Sequence, residues 1–380
     1  MFGYSEYRLG TICKRFSSGK GISADLINDV GEYPVIGGNG LRGYTGSFNF
    51  DGECAVIGRQ GAYCGNVLFF SGKGYMTEHA VVAQPNSENN ARYLTYKLGG
   101  LSLGRFSGQA AQPGLSVSKL ARLRIEMPPK CYQDKVASIL SAYDNLIAVN
   151  NKRIKLLEQM AENLYKEWFV RFRVPGHETA EFENGIPKGW KNIKLFDLAK
   201  VTYGYPFSSD EFCDDETKNA VVRIRDVPNN ATKTYTAETC GDKYLIGENA
   251  ILVGMDGIFH MCLWNGSRAF LNQRVLKIES MTEGFCNYLV LLAIAPQVKF
   301  WENAIAGTTV AHLGDKHLKR MSVLLPDGET REIIDPVFRS IMQEKNLLFK
   351  KNEKLIKQRN LLLPRLMSGK LEVTPTQEPA

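Results

Sequence analysis

The chain has 380 residues, 44% of them hydrophobic, and carries 47 basic against 40 acidic side chains, for a formal net charge of +7. This length exceeds one ordinary core and predicts two to four domains, while the charge is too mild to identify a nucleic-acid partner by itself. No run of about 20 uncharged apolar residues occurs, and residues 1–15 contain charged breaks, so we expect a soluble, cytoplasmic protein without a membrane span or signal peptide.

Residues 1–130 are predicted to form short strands interrupted by glycine. A strand pattern leads into the loop GGNGLRG at 37–43, and another leads into the turn GRQG at 58–61. Gly38, Gly40 and Gly43 match the dinucleotide-binding pattern G-x-G-x-x-G. That pattern needs a following helix and an acidic residue about 20 positions later, and the sequence offers neither around residue 63. We therefore expect no nucleotide site here.

A long coiled-coil helix is predicted next, because seam positions recur at alternating steps of four and three. The seam consists of Val136, Leu140, Tyr143, Ile147, Asn150, Ile154, Leu157, Ala161 and Leu164. Four aromatic side chains follow and are predicted to anchor this helix to the next domain: Trp168, Phe169, Phe172 and Trp190. Residues 178–189 are polar and contain Pro-Lys-Gly, which is typical of a linker.

The second half of the chain repeats the first at an offset of about 198 positions. Leu115 aligns with Leu313 and Pro128 with Pro326, and residues 247–257 (GENAILVGMDG) parallel residues 52–62 (GECAVIGRQGA). The turn tips differ, with Arg-Gln at 59–60 and Met-Asp at 255–256. A shared scaffold with different reading surfaces is expected to show this pattern.

A second long helix is predicted to begin with Asp335 as its N-cap and Pro336 as its first residue, and to end near Leu363 because Pro364 follows. Between residues 345 and 370 it carries eight basic side chains against one acid, Glu353. This pattern favours a solvated helix face over a nucleic-acid site.

The two helices are predicted to pair with each other, since each is about 40 Å long and too long for one small domain. An antiparallel pairing with Leu140 opposite Leu362 also places Asn150 opposite Asn352. Such a buried pair would fix the register of the helices at some cost in stability.

Signals for catalysis are missing from the sequence. The eight cysteines are scattered without a Cys-x-x-Cys pair, and the five histidines show no metal-ligand spacing. There is no Walker lysine loop, and the one Pro-Pro, at 128–129, lacks the neighbours of a methyltransferase loop. We expect a chain with no catalytic residue, no metal and reduced core thiols.

Taken together, these features resemble the specificity subunit of type I restriction–modification systems over essentially the whole chain. The segments that resemble this family include YPVIGGNG at 33–40, GRQG at 58–61, QPGL at 112–115 and NKRIKLLE at 151–158. The second copy departs from the glycine loop and has VVRIRD at 221–226.

The resemblance implies an α+β fold with pseudo-twofold symmetry. Two target recognition domains, twisted β-rich sheets with small helices, occupy residues 1–130 and 181–328. Two spacer helix regions, at 131–180 and 329–373, form an antiparallel coiled coil, and residues 374–380 form a flexible tail.

The function implied is sequence-specific, non-catalytic binding of double-stranded DNA, with one half of a bipartite target read by each domain. The expected partners are two methyltransferase subunits, which carry S-adenosylmethionine, and restriction/translocase subunits. The alternative is a non-catalytic coiled-coil scaffold for protein interactions, which predicts no salt-sensitive DNA affinity.

Candidate DNA contacts are polar side chains on predicted loops, because base edges and phosphates are read by Arg, Lys, amides, acids and small hydroxyls. In the first domain they are Arg59, Gln60, Tyr63, Lys73, Thr77, Glu78, Arg105 and Gln109. In the second domain they are Arg223, Arg225, Asp256, His260, Asn272, Gln273, Arg274 and Thr308.

Overall fold

A computed structural model describes residues 3–108, 114–305, 311–371 and 373. The chain forms two compact units, residues 1–149 with 352–380, and residues 150–351. These limits fall inside the two long helices, whereas the domain boundaries proposed from the sequence lie at their ends and stay predictions. The predicted tail, 374–380, lies outside the described residues.

The first β-rich region contains a six-stranded sheet in the order β2-β7-β5-β6-β3-β4, in which only β3 and β6 pair in parallel. A separate pair joins β1 to β8. The strands are β1 Ser5–Arg8, β2 Cys13–Ser18, β3 Tyr33–Gly37, β4 Gly40–Thr45, β5 Phe50–Gly58, β6 Val67–Met76, β7 Ala80–Pro85 and β8 Arg124–Met127, and the helices are α1 Ala91–Gly99 and α2 Val117–Ala121.

Both faces of this sheet are covered. Successive side chains of β5 point to opposite faces, and each set packs into its own core. Ala55 and Ile57 join a core with Tyr93 and Leu94 of α1. Cys54 and Val56 join a second core on the other face. The continuous apolar run of β5 therefore reflects burial of the strand on both faces of the sheet.

Two long helices follow the two regions: α3 spans Lys130–Tyr165, with 36 residues, and continues into a π-helical turn over Lys166–Val170. At about 1.5 Å per residue α3 is roughly 54 Å long, more than the length expected from the sequence. The four aromatic residues after it form one hydrophobic cluster, with the rings of Phe169 and Trp190 5.5 Å apart, which confirms their anchoring role.

The second β-rich region is built from two four-stranded sheets, β12-β19-β16-β17 and β14-β13-β18-β15, with the pairs β9–β10 and β11–β20. The strands are β9 Phe182–Glu183, β10 Ile186–Pro187, β11 Lys191–Lys194, β12 Ala199–Tyr203, β13 Asn219–Val222, β14 Tyr235–Thr236, β15 Leu245–Ile246, β16 Ile251–Gly254, β17 Met261–Leu263, β18 Ala269–Leu271, β19 Val275–Ser280 and β20 Ser322–Leu325. The helices are α4 Leu195–Leu198, α5 Asn287–Ile305 and α6 Asp315–Leu318, and α7 Gly328–Met367 follows.

The internal repeat is confirmed by strand pairing. In each region the first long strand of the domain pairs antiparallel with the last, as β1 with β8 and β11 with β20. A single parallel pair also recurs, β3 with β6 and β13 with β18. The strands β8 and β20 lie 198 positions apart, as the sequence register predicted.

The predicted limits of α7 are wrong at both ends. The helix begins at Gly328, because Asp327 Oδ1 caps it by accepting from the Thr330 backbone N–H at 2.9 Å. Asp335 lies inside the helix, where its carboxylate accepts from the Cys286 N–H at 2.7 Å. The prolines at 336 and 364 are also interior, and burial of Phe338 and Leu366 offsets the hydrogen bonds that they remove.

Antiparallel pairing of the helices is present within each unit. In the first, Tyr132 Oη donates to the Leu366 carbonyl at 2.9 Å. In the second, Lys345 Nζ lies 2.8 Å from Glu158 Oε1. Asn150 and Asn352 are both buried but belong to different units, so their pairing stays a prediction.

Candidate nucleic-acid interface

The two domains share a three-residue turn between equivalent strands. Corner turn 1, residues 77–79, joins β6 to β7, and corner turn 2, residues 272–274, joins β18 to β19. The first residue of each donates its N–H to the strand paired in parallel, Thr77 to Ile36 at 2.9 Å and Asn272 to Val222 at 3.2 Å. The two turns therefore occupy the same place in the repeated scaffold.

Each corner turn also fixes a turn tip, the residues after β5 or β16. The carbonyl of His79 accepts from the Arg59 N–H at 2.9 Å, and that of Arg274 accepts from the Met255 N–H at 2.9 Å. The tips are held from the other side by Leu115 and Leu313, whose N–H groups donate to Arg59 at 2.9 Å and Met255 at 2.8 Å. Corner turn and tip thus form one rigid unit in each domain.

A glycine makes this packing possible at the same point of both domains. A Cβ on Gly19 would lie 2.0 Å from the Met76 carbonyl oxygen, and one on Gly204 would lie 1.9 Å from the Asn272 carbonyl oxygen. Gly19 donates its N–H to Ala80 at 3.0 Å and Gly204 donates to Val275 at 3.2 Å. Any side chain at these positions would displace the corner turn.

In the first domain the structure brings four of the predicted residues together. Arg59 and Gln60 lie on the tip, beside Thr77 and Glu78 of corner turn 1. Glu78 is half-exposed and its Oε1 lies 3.2 Å from His79 Nε2. Thr77 is fully buried and has no accessible surface with which to reach DNA in this conformation.

The other candidates of this domain lie elsewhere. Tyr63 is exposed in the turn Gly61–Tyr63, just after the tip. The Lys73 ammonium lies 4.9 Å from the centre of the Phe48 ring, and the Arg105 guanidinium lies 4.8 Å from that of Phe106. Gln109 lies outside the described residues.

In the second domain a charged cluster joins the tip to corner turn 2. His312 Nδ1 lies 2.7 Å from Asp256 Oδ1, and Arg274 Nε lies 3.5 Å from Asp256 Oδ2. Gln273 is exposed beside Arg274, whereas Asn272 is buried.

The remaining candidates of the second domain are less concentrated. The Arg223 guanidinium lies 5.0 Å from the centre of the Phe212 ring, and Arg225 Nη2 donates to Thr234 Oγ1 at 3.4 Å. His260 is exposed on the loop after the tip. Thr308 lies outside the described residues. All of these stay predictions as DNA contacts.

Tyr203 lies directly before Gly204 and adds a polar group to this surface. Its hydroxyl donates to Asp315 Oδ1 at 3.1 Å. Burial and the neighbouring carboxylate raise the pKa of Tyr203 to about 12, so it is a neutral hydrogen-bond donor at pH 7.

Two histidines, His79 and His312, were not chosen from the sequence. Aligning corner turn 1 with corner turn 2 places His79 opposite Arg274, but this register is 195 positions, whereas Leu115 and Leu313 give 198. The register of 195 is also the one by which residues 247–257 parallel residues 52–62.

Within the described ranges, no group of three or more His, Cys, Asp or Glu side chains could hold a metal ion. Among the same residues, no helix has the length and apolar character to span a membrane. The predicted basic face of α7 is partly engaged in ion pairs within each unit, with Lys345 on Glu158, Lys350 on Glu248 and Arg359 on Asp144.

Residues 1–159 and 187–356 each match the type I restriction modification DNA specificity domain. The chain belongs to this family. The specificity subunit of the type I restriction enzyme EcoprrI from Escherichia coli is 42% identical over 142 residues, which cover 36% of this chain and 35% of that protein. The specificity subunit of MjaIX from Methanocaldococcus jannaschii is 25% identical over 298 residues, covering 70% of this chain and 65% of that protein.

The fold is also that of a solved specificity subunit. The S subunit of a type I restriction–modification system from M. genitalium matches with a TM-score of 0.60 and 15% identity, over 96% of both chains. At this identity the likeness shows the fold alone. The expected α+β architecture with two specificity domains is therefore confirmed.

Proposed function

We propose that this chain is the DNA-reading specificity subunit of a type I restriction–modification system and that each domain reads one half of a bipartite target. The single observation that carries the proposal is the repeated scaffold of corner turn, tip and glycine, which presents Glu78 and His79 in one domain and Gln273 and Arg274 in the other. Two domains with the same backbone arrangement but different exposed side chains are suited to read two half-sites of different sequence.

The division of labour follows from hydrogen-bonding chemistry. Base edges are discriminated by Arg, amide and carboxylate groups, while phosphates are held by basic side chains and backbone N–H groups. The helices α3 and α7 each contribute residues to both units, and they act as the ruler that keeps the two half-sites at a fixed spacing.

The chain performs no chemistry in this proposal. Two methyltransferase subunits, which bind S-adenosylmethionine, dock on it and modify adenine after flipping the base out of the duplex. Restriction/translocase subunits join the same cytoplasmic assembly. The specificity subunits named among the relatives support this assignment of partners.

Modified-base sequencing tests the proposal. DNA from cells that express the chain together with its methyltransferase subunit is compared with DNA from cells that express the methyltransferase alone. Methylated adenine in one bipartite motif, present only with this chain, is the expected result. No new motif, with both proteins folded and associated, would favour the coiled-coil scaffold instead.

A further inference from the structure

We infer that corner turn 2 is the base-reading element of the second domain, and that Arg274, held by Asp256 and His312, reads a guanine in the major groove. This inference rests on the proposed function, since it assigns a base to one of the two half-sites. Either claim can fail without the other.

The backbone of Arg274 is the first reason. Its φ angle is +72°, in the left-handed region that a side chain such as arginine rarely adopts. Such a conformation is strained for a residue with a side chain, and residues that retain it concentrate at binding and catalytic sites. At the same place in the first domain, His79 is not among the described residues with positive φ. The backbone strain is therefore specific to Arg274 and is not shared by the equivalent residue of the repeated scaffold.

The second reason is the way in which the guanidinium is held. Asp256 Oδ2 lies 3.5 Å from Nε of Arg274, and His312 Nδ1 occupies the other carboxylate oxygen at 2.7 Å. The ion pair with Asp256 is made at Nε, the guanidinium nitrogen nearest the backbone. A side chain that an ion pair already orients loses less rotamer freedom when it binds. The Arg274 side chain nevertheless stays 57% exposed.

The third reason lies in the first residue of each corner turn. Asn272 and Thr77 are 93% and 100% buried in their domains, with exposures of 7% and 0%. Among the residues that the structure describes, neither Asn272 Oδ1 nor Thr77 Oγ1 has a hydrogen-bond partner. A buried polar atom without a partner is destabilising, and such an atom recurs at the same position of both domains. Neither atom is accessible to DNA in this conformation, so the shared feature marks the two turns as equivalent and supplies no base contact itself.

Charge around corner turn 2 suits a phosphate backbone. Arg223 follows Val222, whose carbonyl accepts the Asn272 N–H, so this arginine lies on the segment beside corner turn 2. An arginine near a reading side chain is a usual means of fixing register on the duplex. An arginine placed on such a turn pairs with the N7 and O6 acceptors of guanine.

The experiment uses the full chain in complex with its methyltransferase subunit and a duplex that carries the sequenced motif. Each guanine of the motif is replaced in turn by 7-deazaguanine, which lacks the N7 acceptor. With the wild-type chain, one such replacement is expected to weaken binding by about tenfold to a hundredfold. With Arg274→Ala, binding to the normal duplex falls by a similar factor, and the same replacement has no further effect.

Matched controls come from the same domain and from the repeat. Arg268 is exposed six residues before Arg274, so Arg268→Ala should bind normally and keep the full response to 7-deazaguanine. Arg274→Lys keeps the positive charge but loses the paired N–H donors of the guanidinium. The variant complex should therefore bind DNA with nearly unchanged salt dependence and a reduced preference for guanine. His79→Ala should alter only the other half-site, whereas Glu88→Ala, also exposed in the first domain, should alter neither.

The outcomes separate the two claims. Wild-type binding to a bipartite motif that responds to no 7-deazaguanine replacement, or that responds equally in the Arg274→Ala complex, overturns the inference and leaves the proposed function standing. A wild-type complex that binds no specific motif overturns the proposed function itself.

Discussion

Arg359 Nη1 of α7 donates to Asp144 Oδ1 of α3 at 2.6 Å, and the other oxygen of the same carboxylate accepts from Tyr96 Oη of α1. One half-buried carboxylate thus joins both long helices to the helix that covers the first domain's sheet. Burial and Asp144 together raise the pKa of Tyr96 above its ordinary value, as expected of a phenol that donates to an anion.

Replacing Asp144 should therefore loosen the first unit. Asp144→Ala removes the acceptor of Tyr96 Oη and of Arg359 Nη1, while the other nitrogens of Arg359 keep Asn360 Oδ1. We expect a loss of about 1–3 kcal/mol in the free energy of unfolding. Urea unfolding of the purified chain measures it. Asn145→Ala, at the exposed neighbouring position, is the control and should change stability by less than about 0.5 kcal/mol. Equal effects from both variants would mean that the carboxylate does not join these elements.

Substitutions of Lys345 test whether its charge or its packing contributes more to the stability of the second unit. Its side chain is 9% exposed, lies 2.8 Å from Glu158, and has its ammonium 4.9 Å from the centre of the Tyr288 ring. Lys345→Ala should cost about 2 kcal/mol through lost packing. Lys345→Met should cost less than about 1 kcal/mol, because Glu158 is half-exposed and stays hydrated without its partner. If methionine proves as damaging as alanine in urea unfolding, the ion pair is the main contribution.

The glycines behind the corner turns make a third prediction. Gly19→Ala and Gly204→Ala should each cost about 1–3 kcal/mol, because the new methyl group overlaps a carbonyl oxygen. Each variant should then lose sequence preference in one half-site of the methylated motif. Gly19→Ala and Gly204→Ala should affect different half-sites. Gly46→Ala and Gly247→Ala have open space at the Cβ position and serve as controls. A Gly204→Ala protein with wild-type stability and motif would refute the close approach.

Buried thiols predict a fall in stability at alkaline pH. Burial raises the pKa of Cys54 and of Cys262 to about 12. The unfolded thiols ionise near pH 9, so this contribution is complete below pH 9 and is lost as the pH rises toward 12. Each thiol should remove about 1.4 kcal/mol per pH unit in that range.

The measurement is the urea midpoint at pH 8 and at pH 10. A chain with Cys54→Ala and Cys262→Ala should lose less stability between the two pH values than the wild-type chain, whatever its starting stability. Cys131 is exposed, so Cys131→Ala should leave the pH dependence unchanged. An identical pH dependence in all three proteins would mean that other groups dominate.

Much of the fold follows from local sequence signals. The seam from Val136 to Leu164 predicts α3, and the offset of 198 positions predicts that β8 and β20 are equivalent strands. These features are governed by side-chain periodicity, which is visible in one sequence. The limits of α7 could not be predicted in this way, because the Asp327 cap competes with Asp335, and burial of Phe338 outweighs the proline at 336.

The candidate site was only partly predictable. Arg59 and Asp256 could be chosen because they lie on turns bounded by glycine, and Arg274 could be chosen as a basic residue on a predicted loop. The contact of His312 with Asp256 could not be predicted in this way, because it depends on a bridge between distant segments. Nor does residue type reveal that Asn272 and Thr77 are buried, since their burial results from the strands packed around them.

The central claim, that two equivalent domains each read one half of a single target, is tested most directly by equilibrium binding. The complex of this chain with its methyltransferase subunit is titrated with duplexes that carry both half-sites, either half-site alone, or both with one extra base pair in the spacer. We predict that the intact target binds at least about a hundredfold more tightly than each of the other three. Equal affinity for the intact target and for a single half-site would contradict the account.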